Sequence, residues 1–178
     1  MRFGSINHVV LFGGGTRLLQ CLDLVVARGW RVTVFSAPRL LGARVDGGTA
    51  TVAEAFRARG TSVIEIEDLR QCDFASHVTP NTIGISFGAP WIFRPEHIAA
   101  FGGRLCNAHG TCLPENRGAA TFSWQILRGD RRGAFLLHQV DRGVDSGPIV
   151  YAEPYTFPES CRTPADYRTF HVSQEPAF

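Results

Sequence analysis

The first third of the chain alternates apolar runs with a stretch of helical periodicity. The run INHVVLF (6–12) is rich in β-branched residues and ends in three glycines. It is followed by TRLLQCLDLVVARG, in which leucines and valines recur at helical spacing until Gly29. The run WRVTVFS (30–36) then predicts a second strand. Strand, glycine turn, helix and strand in this order are typical of a βαβ unit with a parallel strand pair.

The rest of the pattern predicts an α/β fold. A polar, glycine-rich segment (38–51) is predicted to be a mobile loop. Helices are predicted over VAEAFRARG, RPEHIAAFGG and AATFSWQILRG, and strands over 61–67, 82–88, 104–109, 133–140 and 148–157. We expect a single Rossmann-like domain over residues 1–167, built on a mostly parallel sheet with helices on both faces and antiparallel strands late in the chain. Residues 168–178 lack periodicity and are predicted to be an irregular tail.

Composition narrows the class of protein. The chain has 178 residues, 44% of them hydrophobic, and no apolar run reaches the roughly 18 residues of a membrane span. Its start lacks a full apolar core and a cleavage site, so no signal peptide is predicted and a cytoplasmic location is expected. The net charge of +2 is spread along the chain. Neither membrane nor nucleic-acid binding is therefore predicted.

Two residue types exclude whole classes of chemistry. All 18 basic residues are arginine, which excludes Schiff-base and P-loop lysines and leaves Arg, His or backbone N–H groups to meet an anion. The five cysteines have irregular spacing without a C-x-x-C pair. The sequence thus predicts neither a disulfide framework nor a metal site.

The three glycines after the first strand only partly match a dinucleotide fingerprint. Gly13 and Gly15 fit G-x-G-x-x-G, but the third position is Leu18. The second strand ends at Ser36 and lacks the acidic residue that binds an adenosine ribose in dinucleotide-binding folds. Arg39 could instead face a 2′-phosphate, so NADP binding is not excluded. The pattern favours a tight turn between strand and helix. The helix that follows still offers its N-terminus to an anion.

Asn107 and His109 are the first candidates for chemistry. Residues two apart in a strand share a face, so both side chains lie on one side near the carboxyl end of a strand, where open parallel sheets bind ligands. Taken alone, such a pair is also typical of buried polar residues that only make structural hydrogen bonds. Asp145 follows 36 residues after His109, within DRGVDSGP, which is far enough for a helix and a strand to return the chain. Glycine-rich turns with aspartate are common, so this stretch too is ambiguous alone.

The three residues together suit acyl transfer. An amide and an imidazolium donate hydrogen bonds to an oxyanion, while a carboxylate raises the pKa of the histidine and relays a proton.

At this point the sequence resembles a known family. NAHGTCLPENRGAATFSWQI together with DRGVDSGPIV resembles the folate-dependent formyltransferases, which include the glycinamide ribonucleotide and methionyl-tRNA enzymes. The resemblance extends more loosely from the first strand to about Tyr167. Where the family has S-L-L-P, this chain reads Thr111-Cys112-Leu113-Pro114 after Gly110. The form H-G-T-x-L-P-x-x-R-G, with FSWQI, GAPWIFRPEHI and YTFP…RTPADY, is most similar to the branch that formylates amino groups of nucleotide-linked sugars.

The resemblance implies a reaction and a set of roles. The donor would be N10-formyltetrahydrofolate, the acceptor a dTDP- or UDP-linked amino-dideoxy sugar, and residues 1–167 the catalytic domain. Asn107 and His109 would stabilise the oxyanion, and Asp145 would pair with His109 and help the proton leave. No metal is implied.

Further residues are assigned to the two ligands. The folate contacts would come from Gly88, Ala89, Trp91, Ile92, Phe93 and Asp141. For Trp91 and Phe93, core packing is an equal alternative. The acceptor contacts would come from Thr111, Arg117 and Trp124, with Trp124 alternatively anchoring its helix in the core. His138 is interpreted as structural.

Other functions stay open at this stage. The acceptor could instead be methionyl-tRNA or glycinamide ribonucleotide, or the chain could be a truncated, inactive or nucleotide-binding Rossmann protein. The segment RTFHVSQEPAF does not resemble the C-terminal region that carries dimer contacts in family members. A homodimer is the assembly that the resemblance suggests.

Overall fold

The strands and most helices lie where the apolar patterns predict them. The computed structural model describes residues 4–174, apart from the side chains of residues 74 and 75. The strands are β1 His8–Gly13, β2 Arg31–Ser36, β3 Val63–Glu65, β4 Thr82–Phe87, β5 Leu105–Thr111, β6 Arg132–Gln139 and β7 Ile149–Thr156. The helices are α1 Thr16–Ala27, α2 Pro38–Leu41, α3 Val52–Ala58, α4 Pro95–Ala100, α5 Thr121–Leu127 and α6 Pro164–Ser173, with 3-10 turns at Leu69–Gln71 and Phe74–His77.

Contacts group the chain into two units, Met1–Asn107 and Ala108–Phe178, and strand β5 runs from one into the other. In the first unit the strands neighbour one another in the order β3-β2-β1-β4, followed by β5. The pairs β1–β2, β1–β4 and β2–β3 are parallel. In the second unit β5 neighbours β6, and β6 pairs with β7 in the antiparallel sense. The predicted α/β class and the mostly parallel sheet are confirmed.

The glycine turn after β1 is a close approach of two backbone segments. Gly13 has a φ of +112°, and a Cβ there would lie 2.1 Å from the carbonyl oxygen of Phe87. At the start of α1, the Thr16 hydroxyl donates to the Asp46 carboxylate at 2.8 Å. The chain's own carboxylate therefore occupies a position where the helix dipole favours an anion. This arrangement supports the tight-turn interpretation and disfavours a bound phosphate at this helix end.

The segment predicted to be a mobile loop is partly ordered. It contains α2, Pro38–Leu41, and a β-bridge between Arg44 and Thr51. Pro38 is the first residue of this helix, where a fixed φ and a missing N–H carry no cost. Four residues are too few to show a periodicity, which explains why the pattern did not reveal the helix.

The tail predicted to be irregular from residue 168 is helical as far as Ser173, because α6 covers Pro164–Ser173. A capping box between Thr163 and Asp166 begins the helix. Tyr167 and Phe170 then pack against Phe157, with the Phe157 and Tyr167 rings stacked at a centroid distance of 3.8 Å. The helix thus depends on its cap and on aromatic packing rather than on a long amphipathic repeat. The rest of the predicted tail, residues 175–178, lies outside the described residues, and the domain end at residue 167 stays a prediction.

His8 is a buried histidine at the start of β1 whose protonation state follows from its partners. Its side chain is 1% exposed. Nδ1 lies 3.1 Å from the Arg31 guanidinium, which can only donate, so Nδ1 accepts and Nε2–H faces the Thr33 hydroxyl at 3.0 Å. Burial, and secondarily the charges of Arg31 and His77, lower the pKa of His8 to about 4. The fold therefore requires the neutral ring.

This histidine makes the stability of the fold sensitive to acid. Because the pKa of His8 is about 4 in the folded state and near 6.5 when unfolded, its contribution is complete above pH 6.5 and is lost as the pH falls toward 4. We expect the free energy of unfolding to fall in this window by up to about 1.4 kcal/mol per pH unit more than in a His8→Gln variant. Urea titrations of both proteins at several pH values measure the difference; parallel pH dependences would contradict the assignment.

Candidate active site

His109 lies near the end of β5 with its ring held from one side. Its Nε2 is 2.8 Å from the carbonyl oxygen of Asn116 and 2.8 Å from the hydroxyl of Thr111. A carbonyl oxygen can only accept, so Nε2 carries the proton of the neutral ring. Nδ1 is therefore the nitrogen with a free electron pair. The sequence alone determines neither this tautomer nor the role of Asn116 in fixing it.

Asp145 comes to His109 from the glycine-rich loop after β6. Its backbone has a φ of +47°, in the left-handed region that aspartate tolerates better than most residues. Its Oδ2 accepts a hydrogen bond from the backbone N–H of Gly118 at 2.8 Å and lies 3.7 Å from Nδ1 of His109. The side chains of His109 and Asp145 are 10% and 16% exposed. The two sequence motifs thus meet at one carboxylate.

A second histidine also reaches this carboxylate. His138 is 2% exposed, and its Nε2 lies 3.4 Å from Oδ1 of Asp145. Its Nδ1 is 2.8 Å from the carbonyl oxygen of Gln139. The sequence predicts a structural role for His138, because strict alternation along the strand does not aim its side chain at the site. The register of β6 against β7 shifts between Leu137 and His138, where β7 carries the extra residue Val150. The loop after β6 brings the Asp145 carboxylate back to the His138 ring.

The pKa values of Asp145 and His109 are set by burial and by the neighbouring groups. The pKa of Asp145 is lowered, chiefly by His138 and also by the Gly118 N–H and the charge of His109. The pKa of His109 is lowered as well, because burial outweighs the opposing effects of Asn116 and Asp145 and the charge of His138 adds to it. Asp145 thus raises the pKa of His109 as expected of a neighbouring carboxylate, but burial lowers it by more. At neutral pH the ring is a base rather than an imidazolium donor.

Comparison with known proteins identifies the segment that contains this cluster. The formyl transferase family model matches residues 88–160, which include His109, Asp145 and His138. Residues 88–160 belong to the formyl transferase family.

Curated relatives of the chain agree with this result. A methionyl-tRNA formyltransferase of Nitrosospira multiformis is 44% identical over 122 residues, which make up 66% of this chain and 38% of the relative. The chain spans less than half the length of the curated relatives that it matches.

Solved structures share the fold. Glycinamide ribonucleotide transformylase 1 of Symbiobacterium toebii aligns with a TM-score of 0.74 at 23% identity, over 95% of this chain and 81% of that one. The N-formyltransferase of Helicobacter canadensis, in complex with folinic acid and dTDP-3-aminofucose, aligns with a TM-score of 0.72 at 19% identity, over 94% and 59%. At these identities the likeness shows the formyltransferase fold alone.

The loop after β4, predicted to contact folate, divides into exposed and packed residues. Gly88 is exposed with a φ of +58°, and Ile92 is 85% exposed. The Trp91 indole donates to the carbonyl oxygen of Glu67 at 2.9 Å. The ring of Phe93 packs edge-on against Phe12 at a centroid distance of 5.1 Å. Packing in the first unit therefore accounts for Trp91 and Phe93, and their contacts with folate stay predictions.

Asn107 lies on β5 two residues before His109, at the end of the first unit, and is half-buried. Ala89 is half-buried in the loop after β4. Asp141 accepts hydrogen bonds from the Gly143 N–H at 3.0 Å and the Ser146 hydroxyl at 2.7 Å. This carboxylate braces the loop that presents Asp145.

The predicted acceptor contacts lie in the second unit. Thr111 has no exposed surface, and its hydroxyl lies 2.8 Å from His109 Nε2 and 3.2 Å from the Asn116 carbonyl oxygen, which disfavours a direct contact with an acceptor. Arg117 is exposed. Trp124 is 58% exposed, which disfavours the alternative that it anchors α5 in the core. Gln125, whose side chain donates to the carbonyl oxygen of Arg132, is the buried residue beside it.

Within the described part of the chain, residues 4–174, no group of three or more His, Cys, Asp or Glu side chains is placed to hold a metal ion. None of the described helices has the length and apolar character needed to cross a bilayer.

Proposed function

We propose that this chain transfers a formyl group from N10-formyltetrahydrofolate to a primary amine. The observation that carries the proposal is the meeting of His109 and Asp145, with a nitrogen–oxygen distance of 3.7 Å, inside the segment that matches the formyl transferase family. A partly buried base beside an ionised carboxylate suits the removal of a proton from an attacking amine.

The chain's own residues supply the proton transfers. The donor supplies a formyl carbon already activated by its bond to N10. As the acceptor nitrogen bonds to that carbon and the bond to N10 breaks, one proton must pass from the amine to N10. His109 Nδ1 takes this proton from the amine and then gives it to N10, since Nε2–H stays bound to the Asn116 carbonyl. Asp145 Oδ2 then faces the charged ring, while Asn107 is proposed to donate its amide hydrogen to the formyl oxygen.

The loop after β4 fits one edge of a flat heterocycle. Gly88 offers exposed backbone, with no atom within 4 Å of the position where a Cβ would lie. Ile92 offers an apolar surface that is 85% exposed. We propose that these two residues and Ala89 contact the pterin through backbone groups and apolar surface. Trp91 and Phe93 would shape the loop from behind.

We propose a dTDP- or UDP-linked amino-dideoxy sugar as the acceptor. The H-G-T-x-L-P-x-x-R-G form of the motif supports it. The exposed guanidinium of Arg117 matches a diphosphate, and the exposed indole of Trp124 offers a stacking face to a base or sugar.

Methionyl-tRNA is the second candidate acceptor. It is favoured by the 44% identity with the Nitrosospira multiformis enzyme. The net charge of +2, spread along the chain, gives it less support than a tRNA-binding surface would need.

One assay distinguishes these proposals. The protein is incubated with N10-formyltetrahydrofolate and, in separate reactions, with dTDP- and UDP-linked amino sugars, methionyl-tRNA and glycinamide ribonucleotide. Mass spectrometry of the acceptor detects the added formyl group. We expect a formylated amino sugar. A product with tRNA alone would shift the proposal to that acceptor, and no product with any amine would overturn formyl transfer.

The hydroxyl of Thr111 gives a first test of how the base is held. Thr111→Val keeps the shape of the buried side chain but removes the partner 2.8 Å from His109 Nε2. We expect turnover to fall about tenfold, with little change in KM, as for the loss of one buried hydrogen bond. Thr111→Ser, which restores the hydroxyl, should recover most of the turnover. Equal kinetics for the valine and serine variants would show that the hydroxyl does not act on His109.

A further inference from the structure

The carboxylate of Asp145 lies between two histidines, and only one of them belongs to the expected catalytic set. Oδ2 faces His109 Nδ1 at 3.7 Å, and Oδ1 faces His138 Nε2 at 3.4 Å. The rings of the two histidines are nearly perpendicular, with centroids 6.2 Å apart. His138 is the more deeply buried, with 3% of its side chain exposed against 10% for His109. It therefore approaches the carboxylate from inside the second unit.

The partners of His138 determine where its protons lie. Nδ1 is 2.8 Å from the Gln139 carbonyl oxygen, which can only accept, so Nδ1 carries a proton. A neutral ring would then turn the electron pair of Nε2 toward Oδ1 of Asp145, placing two acceptors face to face. At 3.4 Å, within hydrogen-bonding distance, that contact is favourable only with a proton between Nε2 and Oδ1. Nδ1 of His109 lies 3.7 Å from Oδ2, beyond that distance, so the same argument does not apply to it.

We propose that His138 is a positioning residue of the active site, which holds Oδ1 of Asp145 through a shared proton. Oδ2 is thereby left to the Gly118 N–H and to His109. The expected effects on turnover rest on the proposed formyl transfer. The pairing of His138 with Asp145 does not depend on it.

The pairing assigns different tasks to the two histidines. Because the charge of Asp145 is shared with His138, the carboxylate stabilises a charged His109 less than it would alone. The charge of His138 also lowers the pKa of His109. The groups that face the His109 ring and set its affinity for a proton are Asp145, His138, the Asn116 carbonyl and the Thr111 hydroxyl. His109 is thus kept neutral and able to take the proton of the amine.

Two variants distinguish a hydrogen-bonding role of His138 from a role in packing alone. His138→Gln retains an N–H that can reach Oδ1 but carries no charge. His138→Leu fills the volume without a donor. We expect His138→Gln to keep turnover within about tenfold of the unmodified chain and His138→Leu to lose about 100-fold, with KM changed little in both. In both variants the acid limb of the pH profile of turnover should move to higher pH, since the pKa of His109 rises.

The titration of His109 can be read without catalysis. NMR of the imidazole resonances follows His109 in the full chain and in His138→Gln, which keeps the pocket polar if His138→Leu fails to fold. A higher pKa of His109 in His138→Gln is the expected result, and an unchanged pKa would overturn the proposal. Turnover of His138→Leu equal to that of the unmodified chain would overturn it as well.

A matched substitution on the same strand controls for general effects. Arg132 begins β6, its side chain is 62% exposed, and it pairs with Asp130 and Glu115 at the surface. Arg132→Gln should leave turnover and the titration of His109 unchanged. If the unmodified chain formylates no acceptor at all, the proposed function fails, while the NMR titration still decides whether His138 acts on Asp145 and His109.

Discussion

Replacing Asp145 with Asn should lower turnover about 1000-fold while leaving the fold intact. The amide has the shape of the carboxylate and can still accept the Gly118 N–H, which lies 2.8 Å from Oδ2. Asn also tolerates the φ of +47° at this position. What the substitution removes is the negative charge opposite the ring nitrogen of His109. A proton taken from the amine would then leave a charged imidazole without its counter-ion, so the loss should appear in kcat rather than in KM.

The measurement is steady-state formyl transfer to whichever amine the unmodified chain accepts, with thermal unfolding recorded beside it. Val144→Ala is the matched control, since Val144 neighbours Asp145 in the same loop and is 63% exposed. It should retain full turnover. A folded Asp145→Asn protein with the turnover of the control would remove Asp145 from the mechanism.

The elements that hold the site could largely be predicted from local patterns. Gly29, with a φ of +69°, ends α1 as the sequence indicates, and the β1–α1–β2 unit follows from apolar periodicity alone. The approach of His109 to Asp145 could be anticipated because the N-x-H motif and the glycine-rich DRGVDSGP motif each supply a residue suited to acyl transfer. The spacing between them also suits the intervening helix and strand.

The features that escaped prediction depend on tertiary context. The contact of His138 with Asp145 depends on how the loop after β6 returns the carboxylate to the strand, which the pattern along β6 does not show, so His138 looked structural. The pKa of His109 is lowered because its ring is buried, and burial is a property of the folded chain rather than of the N-x-H motif. Thr111 looked like an acceptor contact because the motif places it beside His109, while its hydroxyl is turned inward. The sequence thus indicates which residues lie close together, whereas packing in the folded chain determines the orientation and the pKa of their side chains.

The glycines of the loop that presents Asp145 should matter for turnover as much as the charged residues that they position. Gly147→Ala should have the larger effect of the two glycine variants. A Cβ at this position would lie 2.0 Å from the carbonyl oxygen of Gln139. That oxygen is backbone and accepts the Nδ1–H of His138, so the clash cannot be relieved by turning a side chain. We expect the free energy of unfolding to drop by about 3 kcal/mol, as for severe overpacking. Turnover of the folded fraction should fall about 100-fold as Asp145 and His138 move apart.

Gly143→Ala in the same loop gives the contrast for this prediction. Its Cβ would lie 2.1 Å from Oγ of Ser146, a side-chain atom that can rotate away at the expense of one hydrogen bond to Asp141. This variant should therefore lose only about 1 kcal/mol of stability. Urea denaturation and turnover of the two variants, measured side by side, provide the comparison. Equal stability and activity would mean that the carbonyl of Gln139 yields readily. The backbone at the end of β6 would then not be what holds His138 against Asp145.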